Sequence, residues 1–123
     1  MKPIRIQRKR TKGWRMPENT VYVGRGSKWG NPYSVYKLKK TSSRYNRGKW
    51  CVLYSAGRLG CDIYWFDDRA TAINKAIEEF KEKRLPYLKQ FISDLKGKNL
   101  SCWCKLSDPC HSDVLLELAN PEE

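Results

Sequence analysis

Apolar and polar positions along this chain fall into short runs with sharp breaks between them. Thr20-Val21-Tyr22-Val23 is a β-branched and aromatic run that predicts a buried strand. Ahead of it, Ile4 and Ile6 alternate with Arg5 and Gln7, the pattern of a short edge strand. Trp50–Tyr54 and Ile63–Phe66 predict two further strands, and Gly57 and Gly60 between them predict a β-hairpin. The period then changes. Ala70, Ile73, Ile77 and Phe80 make the apolar stripe of a helix opened by Asp67-Asp68, which leaves Glu78, Glu79 and Glu82 in solvent. Leu85-Pro86 interrupts that pattern, and a second helix carries Leu88, Phe91, Ile92 and Leu95 to a stop at Gly97.

Lys98 to Cys104 reads as the next strand, with Leu100, Cys102 and Cys104 on one face and Ser101 and Trp103 on the other. The last helix has Asp108 as its N-cap and Pro109 in its first position. Leu115 and Leu118 face the core, and Asn120-Pro121 ends it. The order of elements predicts an α/β fold: a small single domain, its short sheet flanked by helices and carrying an inserted β-hairpin. Residues 1–15 read as a basic N-terminal arm, 16–123 as the domain and 37–66 as the hairpin insertion. No apolar run reaches the roughly 18 residues of a spanning helix. The basic N-terminus leads into more charge rather than an apolar signal segment, so a cytoplasmic protein without membrane contact is expected.

Charge sharpens this picture because it is uneven. The net charge is +12, yet residues 1–50 hold 15 of the 25 Lys and Arg against Glu18 alone. The remainder of the chain is close to neutral. Trp14, Tyr22, Trp29, Tyr33, Tyr36, Tyr45 and Trp50 are interleaved with the basic residues, a composition suited to phosphates and stacked bases. The competing reading is a solvated surface whose aromatic rings turn inward.

Two stretches carry candidate chemistry. The first is the loop Gly24-Arg25-Gly26-Ser27-Lys28-Trp29-Gly30-Asn31-Pro32, directly after a predicted strand. Its glycines allow backbone amides to approach an anion, Arg25 and Lys28 add charge, and Asn31 adds an amide that can read a base or sugar edge. Gly24, Arg25, Ser27, Lys28, Trp29 and Asn31 are therefore the candidate ligand-binding residues. The loop matches neither the phosphate-loop nor the dinucleotide fingerprint, and a structural turn is the alternative.

The second is Cys102-Trp103-Cys104 followed by Cys110-His111-Ser112-Asp113, which gathers three of five cysteines and the single histidine. Three readings compete. Cys102, Cys104, Cys110 and His111 can bind zinc, although C-x-C is a tight spacing and adjacent Cys110 and His111 are hard to aim at one ion. Alternatively Cys110 is a reactive thiol at a helix start, with His111 as proton carrier and Asp113 as the carboxylate that orients it. Or the cysteines simply pack and His111 satisfies a local hydrogen bond. Cys51 and Cys61 read as buried free thiols.

Taken together, Val21 to Pro32, Leu100 to Cys104 and Pro109 to Leu115 resemble the paired signatures of the bacterial and phage family known as domain of unknown function 4326. The resemblance runs from about Val21 to Asn120, and the stretch from Lys37 to Phe66 is longer than that family leads one to expect. It implies that the two motifs form one site and that a bacterial or phage-infected cytosol is the setting. The functional expectation is a small basic protein that binds nucleic acid or a nucleotide-like phosphorylated ligand through the Gly-rich loop beside the Cys/His cluster. One alternative is an enzyme acting on a nucleotide or nucleobase through Cys110, His111 and Asp113, assisted by zinc. Another is a phage-type interaction protein aimed at host nucleic-acid machinery.

Overall fold

Each end of the chain supplies part of one parallel sheet in a computed structural model that describes residues 3–41, 45–54 and 61–121. Strand β1 (Arg5–Gln7) and strand β2 (Thr20–Tyr22) flank β6 (Asn99–Cys102), and both pair with it in parallel. Between β2 and β6 the chain forms β3 (Tyr33–Lys37), β4 (Trp50–Tyr54), β5 (Cys61–Phe66), α1 (Arg69–Glu79), α2 (Leu85–Leu88) and a 3-10 segment, Lys89–Leu95. Helix α3 (His111–Ala119) follows β6. The fold is α/β, and the expected hairpin is present as the antiparallel pair β4–β5. Gly57 and Gly60 lie outside the described residues.

The chain divides into two units, Met1–Gly30 with Leu85–Glu123, and Asn31–Arg84. In the second unit, β3, β4 and β5 form an antiparallel sheet against α1, around a core of Tyr33, Val52, Ala72 and Ala76. β3 was not foreseen: its Tyr33-Ser34-Val35-Tyr36 run opens after proline and is followed at once by charge. The buried face of this helical stretch is only partly the expected one, keeping Phe80 but not Ala70. Ala72, Ala76 and Phe80 are buried, Ile73 and Ile77 sit half-buried at the margin, and Ala70 is exposed. Alanine lets a helix approach a sheet closely, so the smaller side chains take the inward face. Glu79, expected in solvent, is buried at 4% exposure. Its carboxylate accepts from the Tyr64 hydroxyl at 2.8 Å and lies 3.4 Å from Lys75 Nζ, so the charge is enclosed only with partners. Asp68 caps α1 as expected, accepting from the Thr71 amide at 2.8 Å.

Leu85-Pro86 does not end the helical run. A π turn at Phe80–Arg84 precedes α2, and widening the backbone there relieves the clash between Pro86 and the preceding turn. The residues expected to form a second α-helix are instead mostly the 3-10 segment. In the first unit, Val23, Leu88, Leu95, Leu100 and Leu115 are fully or almost fully buried. Among the described residues no helix is long and apolar enough to cross a membrane.

Candidate metal centre

Strand β6 ends at Cys102, two residues sooner than alternation suggested, and the chain turns through Trp103 to Cys110 before α3 starts. This early turn folds Cys104 back beside its neighbour. The sulfurs of Cys102, Cys104 and Cys110 lie within 4.8 Å of one another, a group that can hold a metal ion. Cys102 Sγ lies 3.2 Å from Cys110 Sγ.

The start of α3 also differs from expectation, and the difference brings His111 to the cluster. The N-cap is Cys110, not Asp108, and Pro109 stands outside the helix. Cys110 has extended backbone angles, φ −149° and ψ 153°, so it and His111 do not follow helical spacing. Their side chains can therefore converge, and His111 Nδ1 is 3.5 Å from Cys110 Sγ. The other ring nitrogen, Nε2, lies 2.7 Å from the Val23 carbonyl. A carbonyl only accepts, so Nε2 carries a hydrogen and Nδ1 turns toward sulfur. Val23, directly after β2, also donates its amide to Ser101 O at 2.8 Å, which fixes that carbonyl. At the far end of α3 the expected pattern fails for Leu118, which is exposed while Leu115 is buried.

The three thiols are shifted in opposite directions. Hydrogen bonds from Cys102 and then Cys104, with His111 adding to them, hold the Cys110 thiol far below its ordinary range. Donating toward Cys102 and Cys110 raises the Cys104 thiol well above it. Cys102 is pulled down by Cys104 but pushed up further by its bond to Cys110 and by burial. Of the three, Cys110 is therefore the thiol most readily deprotonated. The helix favours the same residue, since Cys110 is its N-cap, with Ser112 Oγ 3.2 Å from the sulfur and the Asp113 amide on Cys110 O at 3.0 Å. Cys102 and Cys110 are buried, at 1% and 3% exposure.

Asp113 completes the cap. Its Oδ2 accepts from the Cys110 amide at 3.1 Å and from Arg5 Nη1 at 3.2 Å. Arg5 was not among the expected site residues, yet it holds the whole turn. Its Nη2 donates to the carbonyls of Lys105 at 3.1 Å, Leu106 at 2.7 Å and Asp108 at 2.7 Å. The Arg5 side chain is only 8% exposed. Position in β1 explains this: Arg5 pairs with Leu100 and shares the sheet face that carries Cys102. The one signal available in sequence was its alternation with Ile4 and Ile6 in a strand pattern, which places a cation on a face.

The Gly-rich loop meets this centre at Val23 and then closes on itself. Gly24 O accepts from the Ser27 amide at 3.2 Å and the Ser27 hydroxyl at 2.7 Å, and Ser27 O accepts from the Gly30 amide at 3.1 Å. Gly26 has φ +95° in the third position of the first turn, which favours glycine. A side chain at Gly30 would meet Gly24 O at 2.8 Å. The Ser27 and Gly30 donors are thus spent inside the loop. Arg25 is exposed, and Lys28 Nζ lies 4.1 Å from the Phe91 ring centre and 4.0 Å from Asp94 Oδ2. Trp29 is buried at 5% exposure. Asn31 belongs to the other unit, where its amide donates to Ala76 O at 3.1 Å and its side-chain oxygen accepts from the Tyr33 amide at 2.9 Å.

A family model described as Domain of unknown function (DUF4326) matches residues 6–121. No curated protein and no solved structure matches the chain.

Proposed function

Since the chain belongs to the DUF4326 family, whose description states no activity, we propose a function from its own atoms: a zinc-holding module whose ion is structural. Cys102, Cys104 and Cys110 supply thiolates, and His111 supplies Nδ1 as the fourth donor. The observation that carries this reading is the approach of imidazole Nδ1 to within 3.5 Å of Cys110 Sγ while Nε2 is anchored on Val23 O. A zinc-bound histidine usually donates its second nitrogen to a carbonyl or carboxylate, which sets the tautomer. The distance fits as well. Zinc–sulfur and zinc–nitrogen bonds of about 2.3 and 2.0 Å in a tetrahedron separate sulfur from nitrogen by about 3.5 Å. When bound, the ion would tie the end of β6 to the start of α3 and replace shared protons by shared coordination.

A structural role follows from access. Cys102 and Cys110 are buried, and Asp113 is engaged with Arg5 and the helix cap. With His111 joining the three cysteines as the fourth donor, no coordination position would stay open. The rival assignment of Cys110 as a nucleophile has its low thiol range in support, but a residue only 3% exposed is poorly placed to attack a dissolved substrate. Cobalt substitution tests the reading. Tetrahedral thiolate coordination gives an intense sulfur-to-cobalt charge-transfer band and strong visible d–d bands. His111→Ala should weaken and shift the d–d bands while retaining charge transfer. A spectrum of six-coordinate aqueous cobalt would overturn the assignment.

A further inference from the structure

The opposite face of the parallel sheet presents a second feature. Tyr22 pairs in register with Ser101 and so shares the sheet face that Cys102 does not. Next to it Trp103 is 41% exposed, though it directly follows a buried strand. Arg8 lies over both rings, its guanidinium carbon 4.9 Å from the Tyr22 centroid and 5.4 Å from that of Trp103. Arg10 lies 5.0 Å from the Trp103 centroid. Two hydrogen bonds tie this strip to the fold. The Arg8 amide donates to Cys102 O at 2.7 Å, which continues the β1–β6 pairing past Gln7. The Tyr22 hydroxyl donates to Arg25 O at 2.8 Å, which fixes its ring and joins the strip to the Gly-rich loop. Between β1 and β2, Arg8, Lys9, Arg10, Lys12 and Arg15 face one acid, Glu18.

We propose that the strip formed by Trp103, Arg8, Arg10 and Tyr22 binds single-stranded nucleic acid, with bases stacking on Trp103 and the arginines meeting phosphates. An exposed indole flanked by guanidinium groups offers a planar surface and charge within one base-to-phosphate distance. An acidic polypeptide would use the cations but gain nothing from the indole. A duplex would present phosphates but no base face to stack. The inference is independent of the metal reading, because these side chains do not belong to the thiol cluster.

The test uses full-length, tag-free protein, with metal content measured in every variant so that loss of the centre is told apart from loss of the strip. A fluorescently labelled oligothymidylate and its duplex with oligoadenylate are titrated by anisotropy at several salt concentrations. Trp103→Ala should weaken single-strand binding about 5- to 100-fold, the range for one lost base–aromatic stack, with little change in salt dependence. Arg8→Gln should weaken binding and lower the salt slope by about one. The proposal is overturned if Trp103→Ala binds as the parent does, if duplex binds as tightly as single strand, or if polyglutamate competes as well as unlabelled oligonucleotide. Absence of single-strand binding by the parent protein overturns it equally.

Discussion

Arg5→Met removes the guanidinium that spans the turn between Cys104 and Cys110 while keeping an apolar stem of similar length. Four contacts are lost, but they do not count equally. The carbonyls of Lys105, Leu106 and Asp108 share the two N–H groups of one nitrogen, so only two full bonds are present there. Lys105 and Leu106 are exposed and their carbonyls regain water, whereas Asp108 is half-buried. Asp113 is half-exposed, so its ion pair with Arg5 contributes little. With roughly 1.5 kcal/mol for each bond to a charged group, the loss should be about 2–4 kcal/mol. For a chain of this size that lowers the melting temperature by roughly 10 °C. If the turn also holds the metal donors in place, affinity should fall about 10- to 100-fold, as for other partners that orient ligands. Chemical denaturation and competition against a chromophoric zinc chelator measure the two quantities. Arg5→Lys should recover less than half of the stability, since an ammonium cannot span the same acceptors. An Arg5→Met protein within about 0.5 kcal/mol of the parent, with unchanged zinc competition, would refute the idea that Arg5 positions the turn.

Three further outcomes follow from local geometry. Ser101 is fully buried and its hydroxyl has no hydrogen-bond partner, so Ser101→Ala should be neutral or stabilising by about 1 kcal/mol in denaturant unfolding. Gly30→Ala places a methyl carbon 2.8 Å from a backbone oxygen and should cost about 1–3 kcal/mol, with the Gly-rich loop shifted in amide spectra. Asp68 is held below its ordinary range by the Thr71 amide, so its contribution is complete above the unfolded value of 3.8 and fades as pH falls through the folded one. The stability gap between parent and Asp68→Asn should accordingly be constant near neutrality and narrow below about pH 4, read by thermal melts across pH.

The strand pattern of Val21 to Val23, the hairpin strands and the Asp68 cap were legible because each depends on residues close in sequence. The meeting of the Gly-rich loop with the Cys/His stretch was legible as a condition, namely that β2 and β6 be parallel neighbours, which they are. What escaped depends on distant partners. Arg5 looks like one more cation in a basic arm, and only the β1–β6 register reveals that it faces the cysteine turn. The cap was misplaced because Asp108-Pro109 has the residue types of a helix start, while Cys110 with Asp113 forms the box that is actually used. That shift of two residues removes the steric objection to neighbouring ligands, since Cys110 lies outside the helix. Glu79 was placed in solvent because it lies off the apolar stripe, and the Tyr64 hydroxyl that bonds to it lies on another element.

The most direct measurement is native mass spectrometry of tag-free protein together with thiol titration before and after chelation. The proposed centre predicts one zinc per chain, and Cys102, Cys104 and Cys110 protected from alkylation until the ion is stripped. A metal-free native mass with those three cysteines modified at once, or with Cys102 and Cys110 joined as a disulfide, would contradict a metal centre.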